Sequence, residues 1–191
     1  MSQTKLQGNP STSSGRPETS DEKPVLPGSL QANRRLSQWL SIHTNGTVSV
    51  RSGKVELGQG IATALAQIVA HELDVALARI RMLPANTTDS PNEGMTSGSL
   101  SVQDSGGALR QVSAQVRQIY LQAASRRLQV PLEQLEVVDG SIQALDQPNA
   151  GATSYWALAD DALLQVQAGH LVAHKNVASP AIYERATHRL D

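Results

Sequence analysis

Ile61, Leu65, Ile68, Val69 and Leu73 recur at helical spacing, and this amphipathic stretch lies between two strand-like segments. Before it, Val48 and Val50 alternate with Thr47, Ser49 and Arg51; after it, Ile80 and Met82 follow a turn at Leu77-Ala78. A strand, a helix and a strand in that order must bury one helix face on a sheet, so a purely helical or purely β fold is excluded. Ala62, Ala64, Ala66 and Ala70 add helix propensity and permit close packing, and Asp74 is expected just past the helix end. Asn45-Gly46 is a two-residue turn signal and makes His43 to Arg51 a hairpin.

A second, longer helix is predicted from Val102 or Gly106 to Leu128. Leu109, Val112, Val116, Ile119, Tyr120 and Ala123 form its apolar stripe, and Arg126 and Arg127 lie near the end that favours cations. Pro131 opens a short turn or helix. Leu135–Val138, Asp139-Gly140 and Ser141–Ala144 then read as another hairpin. Ser154-Tyr155-Trp156 is expected to start a short helix reaching about Leu164, capped by Thr153 or Ser154. Val166 and Leu171-Val172 suggest a last strand pair around Gly169. The class is α+β, a mixed sheet with two main helices packed on one face.

The chain has 191 residues, which suits one domain and a tail. Residues 1–29 are rich in Ser, Thr, Pro, Gly and charge and read as a disordered tail, with the domain over 30–175, its packed part starting near Leu36, and an irregular linker over 176–191. Aromatics are 3% and Phe is absent, so the core must be built from Ala, Val, Leu and Ile. Absence of Cys excludes disulfides, iron–sulfur ligation and cysteine zinc sites within the chain. A net charge of -1 favours neither a nucleic-acid nor a membrane-surface partner, and no apolar run is long enough to span a membrane. Arg34-Arg35 is followed by a stretch too polar for an export signal, so a cytoplasmic location is expected.

Two segments have the chemistry of a binding site. Gly58-Gln59-Gly60 precedes the first helix: glycines let backbone and ligand approach, the helix start offers unpaired N–H groups, and the Gln59 amide both donates and accepts. Such a group suits an oxyanion or metal-oxo ligand; as a bare tripeptide, it is more often a tight turn with a solvated Gln. Thr96, Ser97, Gly98 and Ser99 precede the second helix, in a polar loop over 85–101 that is long for a compact domain. Their hydroxyls suit a phosphate or polar heterocycle; taken alone, a plain capped loop is as common a reading or a commoner one. His71 and Glu72 do not share a helix face and read as solvated, as do His43, His170, His174, His188 and Asp160-Asp161. No metal ligand set and no nucleophile elbow is present.

Together, in this order and spacing, the two segments resemble a known family. Gly46 to Gly60, continued by Ala64–Ala70 and Glu72–Val75, resembles the glycine-glutamine-glycine segment of the xanthine dehydrogenase and aldehyde oxidase family, the molybdenum hydroxylases. Ser90 to Gln103, continued by Gly106–Arg110, resembles its following segment, in the isoquinoline 1-oxidoreductase and nicotinate dehydrogenase type of large subunit. The resemblance covers about Leu36 to Asp191. It implies part of a larger molybdopterin-binding domain and a molybdopterin cytosine dinucleotide whose metal is held by the pterin sulfurs. It also implies hydroxylation of N-heteroaromatics or aldehydes with water, and electron exit through a 2Fe-2S small subunit. Gln59 matches the glutamine that hydrogen-bonds a molybdenum oxo ligand, Gly58 and Gly60 match its turn, and Thr96, Ser97, Gly98 and Ser99 fall where the second loop meets the cofactor.

The family's large subunits are far longer, and their catalytic glutamate lies near the far C-terminus. Glu56 and Glu93 do not match it, so no catalytic residue is assigned. The chain is therefore expected to be incomplete alone, binding the cofactor only with the C-terminal remainder of the large subunit. The alternatives are a non-catalytic cofactor- or partner-binding module and an inert truncated remnant.

Overall fold

The structure is a computed structural model, and it describes residues 25–146 and 151–175. Strands β1 (Leu40–Ile42) and β2 (Val48–Val50) form the expected hairpin, with Leu40 opposite Val50 and Ile42 opposite Val48. Helix α1 (Ile61–Leu73) crosses back to β3 (Ile80–Met82), which pairs with β2 in parallel. Leu40, Ile42, Val48, Val50 and Ile80 are buried, as the period-two alternation requires. Asp74 ends α1 in the left-handed conformation.

A single turn, α2 (Gly98–Ser101), leads through a wide π-type turn at Val102–Gly106 into α3 (Gly107–Leu128). Strands β4 (Leu135–Val138), β5 (Ser141–Ala144) and β6 (Ala152–Ser154) make an antiparallel meander. The class is α+β as predicted, with the strands divided into two three-stranded sheets, of which the first is mixed. Helices α1 and α3 pack on each other, and one continuous core of Leu, Val, Ile and Ala joins both sheets to both helices. Trp39, Tyr120 and Tyr155 are its largest members. The Tyr120 and Tyr155 rings meet edge to face at 5.4 Å.

Four expectations change. The packed region begins well before Leu36: Leu26, within the segment read as tail, and Leu30 just after it are buried, and Gly28–Gln31 forms a 3-10 turn against the π-type turn and α3. Residues 1–24 and 176–191, including His188, lie outside the described residues.

The helix expected from Ser154 to Leu164 is a strand, a turn and a 3-10 turn at Asp161–Leu164. Thr153 pairs with Ile142 and the Tyr155 amide donates to Gly140 O at 2.9 Å, so the β5 edge takes the backbone that a helix would have used internally. Ser154 does accept from the Ala157 amide, at 3.0 Å, but it caps only the turn.

The strand pair around Gly169 is absent. Residues 166–168 instead pair with residues 34–36, through Leu36 N to Val166 O at 3.0 Å and Ala168 N to Arg34 O at 2.8 Å.

His71 and Glu72 are buried, not solvated. Segment 172–175 covers this end of α1: the Lys175 amide donates to Glu72 Oε1 at 2.7 Å, and Arg110 lies 3.6 Å from Oε2. Among the described residues, no helix is long and apolar enough to cross a membrane.

Candidate cofactor site

Both predicted segments come to one place. The link between β2 and α1 (residues 51–60) runs beside residues 90–97, and polar bonds stitch them together. The Val55 amide donates to Thr96 Oγ1 at 3.0 Å. The buried Lys54 side chain donates to Glu93 O at 2.9 Å and Met95 O at 3.2 Å, with Asp104 Oδ2 at 3.9 Å. The Glu93 carboxylate accepts from Ser52 Oγ (2.8 Å), Gly53 N (2.6 Å), Ser105 Oγ (3.1 Å) and Ser29 Oγ (2.5 Å). One acidic side chain thus ties its own loop to three separate stretches of chain, each through a charge-assisted bond.

Gln59 is exposed at the start of α1. Its Oε1 accepts from the Leu57 amide at 2.5 Å and its Nε2 donates to Val55 O at 2.9 Å. Gly58 and Gly60 have φ of +90° and +75°, a region that disfavours side chains, and nothing lies within 4 Å of where a Cβ would stand on either. The backbone there is open to close approach. The orphan amides on which an anion site would depend are partly taken: Glu56 accepts from Gly58, Gly60 and Ala62. The N–H groups at this helix start therefore serve an internal carboxylate.

Thr96 is half-buried and Ser97 exposed; Ser97 stands before α2 in an extended conformation, without a side-chain capping bond. Gly98 and Ser99 open α2, so their backbone follows directly from the second loop. Two hollows of about 400 and 420 Å³ flank Val55, one towards Leu65 and Met82 and one towards Pro91 and Glu93. Gln59, Thr96 and Ser97 line neither hollow, and Gln59 and Ser97 stand on open surface.

That surface is apolar around its polar groups. Leu57 is 76% and Met95 84% exposed, and Val55 is also exposed. Exposed apolar side chains gathered around polar ones mark a contact surface. Lys54, Glu56 and Glu93 hold the loops in place, a role that local sequence does not mark. Their one available signal was acidic and basic residues set in otherwise polar, glycine-bearing loops; Lys54 and Glu93 meet across some 40 positions, while Glu56 finds its partners within the next turn.

Open glycine backbone, an uncharged amide and hydroxyls on one face fit a large polar ligand bound by hydrogen bonds. Among the described residues no cluster of three or more His, Asp or Glu could hold a metal ion.

The chain belongs to the molybdopterin cofactor-binding domain family, which matches residues 23–189. The same domain family links it, over part of their length, to chains of molybdenum hydroxylase-type oxidoreductases. It is 40% identical to a nicotinate dehydrogenase chain of Pseudomonas putida over 111 residues, 58% of this chain and 9% of that one. It is 31% identical to the beta chain of isoquinoline 1-oxidoreductase of Brevundimonas diminuta over 150 residues, 75% of this chain and 19% of that one. CO dehydrogenase from Oligotropha carboxidovorans shares the structure with a TM-score of 0.55 at 28% identity, over 62% of this chain and 15% of that chain. Quinoline 2-oxidoreductase from Pseudomonas putida 86 shares the fold with a TM-score of 0.51 at 23% identity, over 61% of this chain and 15% of that chain. The chain thus spans less than a fifth of the length of these relatives.

Proposed function

We propose that this chain supplies one wall of the cofactor site of a molybdenum hydroxylase that oxidises N-heteroaromatic rings or aldehydes with water. The observation that carries the reading is the Val55–Thr96 hydrogen bond, which brings the loop bearing exposed Gln59 beside the hydroxyl-bearing loop. Gly58, Gln59 and Gly60 would meet the metal end of a molybdopterin cytosine dinucleotide, and Thr96, Ser97, Gly98 and Ser99 its polar body. When bound, that group supplies the redox chemistry. The residues of this chain bind and orient it: Gln59 offers an amide able to donate to an oxygen, and Thr96 and Ser97 offer hydroxyls.

Both Gln59 bonds are exposed, so water can take over the groups it leaves when the amide turns to a ligand, and the exchange costs little. The apolar rim around Leu57 and Met95 supports closure of the site by the C-terminal remainder of the large subunit. On this reading electrons leave to a 2Fe-2S small subunit, in the cytoplasm.

Molybdenum analysis of the chain purified from its host with its accompanying chains tests this. Near-stoichiometric metal that falls several-fold in a Thr96→Ala, Ser97→Ala double variant is the expected result. Absence of both metal and partner chains would sink the reading and leave a non-catalytic module or a remnant.

A further inference from the structure

The Gly58–Gln59–Gly60 turn is held from within the chain. Glu56 lies four residues ahead of Gly60, the cap of α1, and its carboxylate folds back over the turn. Oε1 accepts from the Gly58 amide at 2.7 Å and the Gly60 amide at 3.0 Å, and Oε2 accepts from the Ala62 amide at 3.0 Å. Gly60 has no side chain with which to cap the helix, so the capping is done from upstream, by a full negative charge against the positive helix end.

We propose that Glu56 is the positioning residue of this turn, setting the point from which the Gln59 side chain leaves the backbone. The inference rests on the reading of Gln59 as the cofactor-facing amide. Two kinds of bond meet in the turn. The bonds of Glu56 to Gly60 and Ala62 are half-buried and charge-assisted; those of Gln59 to Leu57 and Val55 are exposed and neutral. The second set yields first, so the Gln59 amide can turn outwards while the peptide units beneath it stay in place. The chemistry is particular to a glutamate. A glutamine has one acceptor oxygen, so its NH2 would face a backbone N–H, donor against donor; an aspartate is shorter by one methylene.

Two readouts test the proposal, both on the chain purified with its natural partner chains. The first is amide hydrogen exchange. Glu56→Gln and Glu56→Ala should raise exchange at Gly58, Gly60 and Ala62 on the order of tenfold or more, with α1 unchanged from Leu65 onward. The second is the electron paramagnetic resonance spectrum of the bound molybdenum. Glu56→Gln should shift it in the same direction as Gln59→Ala while metal content holds. Should Glu56→Ala lose protection throughout α1, the near-isosteric Glu56→Gln decides. Wild-type exchange in Glu56→Gln would overturn the proposal. A spectrum moved by Gln59→Ala and untouched by Glu56→Gln would overturn the role of Glu56 alone. A spectrum untouched by Gln59→Ala would overturn the cofactor reading itself, with the exchange rates still showing what holds the turn.

Discussion

Lys54 and Glu93 cross each other between the two loops: the Lys54 ammonium donates to the Glu93 carbonyl at 2.9 Å, while the Glu93 carboxylate accepts from Ser52 and Gly53 on the strand side of Lys54. Glu93→Ala leaves the buried Ser52 and Ser105 hydroxyls and the Gly53 amide without that acceptor. A loss of about 3 kcal/mol is expected. Urea denaturation checks it, and a midpoint within error of wild type would show that water replaces the carboxylate.

Glycine is required at different turns for different reasons, which makes a paired prediction. Gly140 has φ +79°, and a Cβ there would stand 2.6 Å from the Trp156 ring, so Gly140→Ala meets both strain and a clash. Gly58→Ala meets strain alone. Costs of about 2–4 and about 1 kcal/mol are expected, in that order. Thermal melts of both variants give the ranking, and equal costs would mean that Trp156 moves aside freely.

Arg79 ties the turn between β4 and β5 to the start of β3. Its Nε and Nη2 each reach Asp139 at 2.7 Å, and its guanidinium lies 5.2 Å from the Trp156 ring centre. The bond from Arg79, then the Ala76 amide, holds the Asp139 carboxyl below its ordinary value. A depressed carboxylate contributes stability above the unfolded value, near 3.8, and loses it as pH falls through the folded one. Asp139→Asn should therefore be less stable than wild type at neutral pH, and the gap should close below about pH 4. A gap independent of pH in acid titrations would exclude the charge as its cause. Both groups are partly exposed, so the gap should be small.

A second pH window lies higher. Burial lowers the proton affinity of the His71 and His174 rings, with Lys175 adding to the effect at His71 and Arg110 at His174. A histidine depressed in the folded state favours unfolding as pH falls through its unfolded value, near 6.5. Stability should decline between about pH 7 and 5.5, and His71→Gln with His174→Gln should flatten that decline. Chemical denaturation at half-unit pH intervals decides, and an unchanged slope in the double variant would place the proton uptake elsewhere.

Local pattern was enough to read α1, α3 and the two hairpins, because each is announced within a short window. The repeat of Ile61, Leu65, Ile68 and Leu73, the Asn45-Gly46 turn and the alternation of Leu135 to Val138 depend on neighbours in sequence. The same holds for Gln59 as an exposed amide beside two glycines. What the sequence could not determine depends on partners far along the chain. Ser154 looks like a helix start until Gly140 and Ile142 offer an edge, and only packing brings them there. His71 and Glu72 look solvated until residues 172–175 cover them. Lys54 and Glu93 look like surface charge until the two loops meet. A periodic pattern reports which face of an element is apolar, because that is set by the backbone repeat. What that face and its polar neighbours touch is set by the tertiary fold, and so only the tertiary structure decided how Lys54 and Glu93 bring Gln59 and Thr96 onto one surface.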